Sequence, residues 1–452
     1  MNTPAGPSPG SYGVVAYGES GEVGGAAFWQ RVNASIAILQ AHPAQRVALV
    51  CDSASGFAAA LLALSHTGRT TIVPPAPQAG SLRACNTEID VVLTDRPERF
   101  SGFETLALPH PAWDERDTPC EIDYDVPIEF YTSGSSDRPV CVRQHLGMLR
   151  DEMVELEREW GERLGDAVIL STVPHYHRYG LLVGVVWPLL IGRTFHEGTC
   201  LQPAALRAAV GPRECAIVSS PAFLSRVQDG GELPPVTQIR AIFSSGAPLP
   251  DAVAERLTRD WGQAPVEIYG STETGGIAWR SWSAREQRAR WQPFQRAEIE
   301  LRPEPAGERL WVRTPYTGKW MATADLARDD ADHGFVLLGR ADGVVKLEDK
   351  RVSLNEMRSR LMEHAWVVDA RLTLVPGKRT LIGAAVILDI SGRAELAGKG
   401  KVPVRDALQA WLREVYEPVL VPRKWRFVER WPDNEMGKVT QDFLRQLFEQ
   451  RS

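Results

Sequence analysis

The sequence predicts an α/β fold, with a large N-terminal domain of parallel sheets covered by helices and a smaller C-terminal domain. Three observations predict it. Over the first 350 residues, short β-rich runs alternate with helical stretches, the pattern of parallel sheets with helices on both faces. The chain has 452 residues, 44% hydrophobic and 24% charged, a globular balance with apolar material for two or three domains. Finally, the charge balance changes sign near Gly339-Arg340-Ala341-Asp342-Gly343. Residues 342–452 hold 20 Lys and Arg against 16 Asp and Glu, whereas residues 1–341 hold 31 against 41. A division into domains 1–341 and 342–452 accounts for that switch; an uneven spread of solvated charge accounts for it equally.

Taken in order, Arg46–Cys51 reads as a strand, Gly56–His66 as an Ala/Leu-rich helix and Thr70–Pro74 as the next strand. These form a βαβ unit. Further strands are expected at Val168–Leu170, Ala216–Val218 and Ile239–Phe243. The longest apolar run, Leu181–Ile191, falls short of the roughly 18 residues of a spanning helix. It reads as a buried strand or helix, and no membrane insertion is expected. Met1–Pro7 lacks a charged leader followed by an apolar stretch, so no signal peptide and a cytoplasmic location are expected. Cys51, Cys85, Cys120, Cys141, Cys200 and Cys215 show no C-x-x-C spacing and read as reduced, mostly buried thiols. The closest histidines, His175 and His177, have no third metal ligand nearby in sequence. A net charge of −6 excludes a broadly basic, nucleic-acid-coating protein.

Chemistry concentrates in a few segments. Phe130-Tyr131-Thr132-Ser133-Gly134-Ser135-Ser136-Asp137-Arg138-Pro139 places small hydroxyl residues and glycine after an apolar strand. Such a loop turns N–H groups and hydroxyls toward phosphate oxygens, although alone it is an ordinary Ser/Gly turn. It is not a Walker A loop. Glu267-Ile268-Tyr269-Gly270-Ser271-Thr272-Glu273-Thr274-Gly275-Gly276 offers an aromatic stacking surface and a carboxylate suited to magnesium. Thr323-Ala324-Asp325 suits ribose hydroxyls, Gly339-Arg340 supplies fixed positive charge, and Asn434–Lys438 puts a lysine on a Gly-containing turn.

In this order and at these spacings, the set resembles the adenylate-forming superfamily: acyl- and aryl-CoA synthetases, peptide-synthetase adenylation domains and firefly-type luciferases. The resemblance runs from about residue 46 to 446. Val173–Leu181 is similar to the stand-alone aryl acid ligases of bacterial aryl-polyene and xanthomonadin pigment clusters. The resemblance implies the superfamily's fold, with a mobile α+β lid after a hinge at Asp342. It implies ATP and Mg²⁺ as cofactors and a small carboxylic acid as substrate. It assigns Thr132, Ser133, Gly134, Ser135 and Ser136 to the β- and γ-phosphates and Tyr269 to adenine. Ser245, Gly246, Ala247, Gly270 and Ser271 complete the nucleotide site. Thr272 is assigned to the α-phosphate, Glu273 to the metal, and Asp325 and Arg340 to the ribose. Arg351 approaches phosphate in one lid orientation, Lys438 bridges acid and ATP in the other, and His177 lines the acid pocket.

Three departures from that pattern stand out. Asp137 and Val140 replace the usual Gly and Lys of the phosphate loop, Asp349 replaces a glycine that lets pantetheine pass, and Ala324 replaces a glycine. The function expected is adenylation of a small, aromatic, hydroxybenzoate-like acid, followed by transfer to a phosphopantetheine thiol of an acyl carrier protein. The alternatives are an acyl-CoA synthetase using a fatty or other acyl acid with free CoA, and a non-catalytic relative that binds nucleotide or acyl group. Arg423, Lys424, Arg426 and Arg430 read either as a docking site for an acidic carrier or as a solvated basic strand.

Overall fold

The computed structural model describes residues 13–85, 87–109, 118–132, 139–227, 234–282, 290–304, 307–315, 317–330, 334–340, 344–347, 350–375, 381–431 and 441–449. Packing divides the chain into two compact units, one of Met1–Glu298 with Arg313–Lys319, the other of Ile299–Val312 with Trp320–Ser452.

The first unit carries two mostly parallel sheets. A six-stranded sheet orders Thr105–Ala107, Val91–Thr94, Arg46–Val50, Thr70–Val73, Pro127–Thr132 and Val140–His145. Its first five strands are parallel, and the last pairs antiparallel with Pro127–Thr132. A nine-stranded sheet orders Gln292–Pro293, Gly275–Ser281, Val266–Ser271, Ile239–Ser244, Cys215–Ser219, Val168–Ser171, Phe195–Thr199, Val14–Gly18 and Gly21–Gly24. The six strands from Val266–Ser271 to Val14–Gly18 are parallel, with antiparallel strands at both ends.

One core cluster joins the two sheets. Leu49 and Phe130 of the first meet Ile169 and Phe243 of the second, together with Phe57 and Leu61 of helix Ala54–His66 and Leu149 and Trp160 of helix Leu146–Leu164. Helix Ala54–His66 is buried from Ala54 to Ser65, which explains why its sequence is apolar all round. Its start is fixed by Ser53 Oγ, which accepts from the Gly56 N–H at 2.9 Å. The apolar run read as strand or helix is helical, with an i→i+5 turn over Leu182–Val186 between α-helical ends. Cys51, Cys85, Cys200 and Cys215 are buried free thiols, and Cys141 is exposed. Among the described residues no helix is long and apolar enough to cross a membrane.

The second unit has its own core, built from Met357, Leu361, Ala384, Val386, Leu408 and Leu412. A four-stranded sheet orders Glu298–Glu304, Gly307–Arg313, Met321–Asp330 and Gly334–Arg340. A Cβ on Gly339, whose φ is +122°, would stand 2.8 Å from the Asn355 side chain of helix Leu354–Met362. That close approach ties residues 320–340, with Asp325 and Arg340, to the C-terminal unit. Asp342 lies outside the described residues.

Trp160 meets Phe243, Trp279 and Phe294 edge to face at 5.2, 5.5 and 6.1 Å between ring centres. Trp160→Ala is expected to destabilise the first unit by about 3–5 kcal/mol, read as a lower urea midpoint in far-UV circular dichroism. A shift below about 1 kcal/mol would mean that the cavity collapses around neighbouring side chains.

Candidate active site

In the nine-stranded sheet the chain leaves Val168–Ser171 on one side to form Phe195–Thr199, then crosses to the other side to form Cys215–Ser219. Open α/β sheets bind ligands beyond the carboxyl ends of strands at such a switch point. Here the carboxyl ends are hydroxyl-rich. Thr172 Oγ1 and Ser219 Oγ lie 2.9 Å apart, and Ser244 ends the next strand, in register with Ser219.

The chain beyond Ser171 runs into the two histidines. His175 is buried, with Nε2 2.9 Å from the Cys51 carbonyl and its ring 5.1 Å from that of Phe57. It is a core histidine. His177 is half-buried, caps the short helix Arg178–Leu181 through its backbone, and sits 4.8 Å from the Tyr176 ring.

Further along the same sheet, Glu267–Gly276 forms a hairpin. Gly270 pairs with Gly276 and Ser271 with Gly275, so Thr272, Glu273 and Thr274 form the tip. A Cβ on Gly270 would stand 2.1 Å from the Gly275 carbonyl oxygen, so no other residue fits there without moving the partner strand. Hydroxyls close the tip: the Ser271 N–H donates to Thr274 Oγ1 at 3.1 Å, and the Thr274 N–H donates to Ser271 Oγ at 3.2 Å. Thr274 is buried, Thr272 half-buried and Glu273 exposed. Tyr269, half-buried on the same hairpin, has its ring 5.4 Å from that of Trp291.

The neighbouring loop is drawn to this hairpin. Ser245 Oγ donates to the Ile268 carbonyl at 2.7 Å. Buried Glu267 accepts from the Leu249 N–H at 2.9 Å and from Arg280 Nε at 2.7 Å. Ser245, Gly246 and Ala247 thereby form a partly exposed rim beside Tyr269 and Gly270.

Under the hairpin lies a polar network that sequence reasoning did not single out. Arg178 donates to Glu152 Oε2 at 2.6 Å and, through Nε, to Gln144 Oε1 at 2.8 Å. Arg178 and Glu152 side chains are 7% and 5% exposed, so this is a buried ion pair. The Gln144 amide donates to the Thr272 carbonyl, and Glu152 Oε1 accepts from the Gly276 N–H at 2.7 Å. A signal was present in the sequence. Leu149, Met153, Leu156 and Trp160 make the apolar stripe of helix Leu146–Leu164, and Glu152 stands inside that stripe.

Thr132 ends its strand opposite Val140, and Val140 is 48% exposed. Ser133, Gly134, Ser135, Ser136 and Asp137 lie outside the described residues, as do Asp349 and Lys438. In the second unit Asp325 pairs with Arg340 across two antiparallel strands, and Arg351 pairs with Lys346. The Asp325 N–H donates to Thr323 Oγ1 at 3.1 Å.

Among the described residues no group of three or more His, Cys, Asp and Glu side chains offers a metal cage. Glu273 fits a different kind of cation. Its carboxylate is exposed at a fixed tip and joins no ion pair among the described residues. One such carboxylate suits magnesium carried on nucleotide phosphates, which keeps most of its other oxygen ligands.

Comparison with known proteins agrees with this geometry. The AMP-binding enzyme family matches residues 84–317, just over half of the chain. The chain belongs to that family, and so to the adenylate-forming superfamily of AMP-forming acid–thiol ligases. A 4-coumarate–CoA ligase of Rhodobacter capsulatus is 28% identical over 314 residues, covering 69% of this chain and 74% of its own length. A 4-hydroxybenzoate–CoA/benzoate–CoA ligase of Rhodopseudomonas palustris is 26% identical over 364 residues, covering 72% of this chain and 65% of its own. The crystal structure of ATP-bound MatB from Rhodopseudomonas palustris has the same fold, with a TM-score of 0.81 and 19% identity over 97% of this chain and 96% of that one.

Burial holds the His175 imidazole below the ordinary histidine value, against the opposing pull of the Cys51 carbonyl and the Asp95, Glu197 and Asp52 carboxylates. The unfolded chain then binds a proton that the fold does not, so stability is lost as pH falls below about 6.5. His175→Gln is expected to flatten the fall in urea midpoint between about pH 7 and 5. Equal slopes in the two proteins would assign the titration to another group.

Proposed function

We propose that the protein activates a small aromatic carboxylic acid, of hydroxybenzoate type, with ATP·Mg²⁺ and passes the acyl group to a phosphopantetheine thiol of a carrier protein. The observation that carries the proposal is one edge of one sheet. Tyr269, the Ser245–Ala247 rim and the hydroxyl-closed tip with Thr272 and Glu273 stand together there. Two similar proteins named as ligases of aromatic acids favour an aryl substrate.

A carboxylate is a poor acylating agent. One of its oxygens must attack the α-phosphorus in line, forming a mixed anhydride and expelling pyrophosphate. The thiol then attacks the acyl carbon and releases AMP. Two anions meet in the first step, so orientation and fixed positive charge lower its barrier. Tyr269 stacks on the adenine, and the Ser245–Ala247 rim with Gly270 and Ser271 frames the nucleotide. Thr132 to Ser136 hold the outer phosphates and Thr272 the α-phosphate. His177 faces the acid, Asp325 and Arg340 take the ribose, and Lys438 bridges acid and ATP. Glu273 would hold magnesium, which would supply positive charge at the phosphates. Domain 342–452 turns about Asp342 between half-reactions, exchanging Lys438 for Arg351 and the Asp349 loop.

Acid-dependent ATP–pyrophosphate exchange over a panel of aryl and alkyl acids tests this reading. Exchange is expected with hydroxybenzoates above alkyl acids. Lys438→Ala is expected to slow it by about 10² or more while sparing thioester formation from pre-made acyl-adenylate. Equal loss in both half-reactions would remove Lys438 from the adenylating role, and ATP binding without exchange for any acid would favour a nucleotide-binding relative.

A second reading takes free CoA as the acceptor, since the two ligases compared above are CoA ligases by name. Asp349 stands where a glycine usually leaves the pantetheine passage open, and Glu348 adds charge. CoA brings its 3′-phosphate and diphosphate to that entrance, whereas a carrier presents one phosphodiester, so repulsion disfavours CoA. Higher kcat/KM for a holo-carrier from the same organism, declining with salt, is expected. A better kcat/KM for CoA at low and high salt would reverse the assignment.

A further inference from the structure

The tip that carries Glu273 is held on both flanks by one buried network. On the near side the Gln144 amide donates to the Thr272 carbonyl, and on the far side Glu152 Oε1 accepts the Gly276 N–H at 2.7 Å. Arg178 joins the two anchors, donating to Gln144 Oε1 at 2.8 Å and to Glu152 Oε2 at 2.6 Å. Gln144 lies on the strand after the phosphate-loop segment, pairing with Ile128. Arg178 is the residue after His177. Three segments assigned to phosphate, acid and metal therefore meet in a single hydrogen-bonded chain.

Stability alone does not call for charge here. Glu152 sits among Leu149, Met153 and Leu156 on its helix. In such surroundings an apolar pair of similar volume is often as stable as a buried ion pair, or more so. What an apolar pair cannot do is accept the Gly276 N–H and orient the amide that reaches Thr272. We infer that Gln144, Glu152 and Arg178 are positioning residues: they fix the Thr272–Glu273 tip, and through it the metal-bearing carboxylate, relative to the acid and phosphate segments. The inference rests on the reading of Glu273 as the magnesium carboxylate.

The test compares Gln144→Leu, Glu273→Gln and the double variant in full-length protein, by acid-dependent ATP–pyrophosphate exchange titrated with Mg²⁺. Gln144→Leu removes the Thr272 anchor and leaves the Arg178–Glu152 charges paired. It is expected to lower the exchange rate by about 10- to 100-fold, the scale of a 1 Å misplacement, and to raise the half-saturating Mg²⁺ severalfold. The KM for the acid should stay within about twofold, because a misplaced metal carboxylate changes the transition state more than acid binding. Glu273→Gln should raise the Mg²⁺ requirement as well, and the double variant should raise it no further, since both act through one carboxylate. A purely structural role would lower the yield of folded protein and its Tm while leaving the Mg²⁺ half-saturation of the folded fraction unchanged. That outcome overturns the inference alone, provided Glu273→Gln does shift the requirement. An unshifted Glu273→Gln overturns the metal reading, and the inference with it. Should Gln144→Leu not fold, Gln144→Met, of nearly the same length and volume, replaces it in the comparison. It removes the amide that reaches Thr272, keeps the Arg178–Glu152 charges paired, and is expected to shift the Mg²⁺ requirement in the same direction.

Discussion

The buried ion pair between Arg178 and Glu152 is the constraint on which the rest of the site depends. Each partner is almost wholly withdrawn from water, and each also hydrogen-bonds to a further segment. Taking either away leaves an uncompensated charge in the core, at a cost of several kcal/mol. The pair therefore fixes where strand Val140–His145, helix Leu146–Leu164 and the turn after His177 stand relative to hairpin Val266–Ser281. Neither sheet could set that relation by its own ladder, because Gln144 belongs to one sheet and Thr272 to the hairpin of the other.

The same device recurs within each unit: a buried or partly buried carboxylate accepting from a backbone N–H and an arginine at once. Glu267 does so for Leu249 and Arg280, holding the Ser245–Ala247 rim against the hairpin. In the second unit Asp369 accepts from the Ala370 N–H, Arg358 and the Trp431 indole, and its carboxyl is held below the usual range by Arg371 and Arg358 despite burial. Trp431 stands just before the segment containing Lys438. A carboxylate with two oxygens can serve two addresses, which makes it an economical brace for loops that no strand ladder reaches.

How much of this was legible in the sequence depends on the range over which each signal acts. Helix Ala54–His66 and its flanking strands were readable because composition and period are local properties. The Tyr269–Glu273 motif was readable as chemistry but not as shape. Its antiparallel return through Gly275 and Gly276 depends on pairing with residues that read equally well as loop. The pairing of Gln144, Arg178 and Glu152 was not readable, since it joins a strand, a helix and a later turn through side chains alone. Glu152 inside an apolar stripe was the visible trace of it. Residues 299–312 and 320–340 pack in one compact unit with the C-terminal residues, Gly339 lying close against Asn355, a contact that charge counting does not register. A tally of surface charge carries no information about which backbone segments touch.

The first unit is discontinuous in sequence, and this has a consequence for how the protein is made. Residues 313–319 belong to it, although they follow a stretch that belongs to the other unit. Within that late segment the buried Thr314 donates its hydroxyl to the Thr274 carbonyl at the hairpin tip, over 3.4 Å. On a ribosome, which releases chain from the N-terminus onward, the two large sheets can assemble well before the tip receives that neighbour. The turn bearing Glu273 is thus among the last parts of its unit to be completed. A released chain ending near residue 298 would hold nearly all of the apolar core of that unit and still lack the Thr314 contact at the hairpin tip.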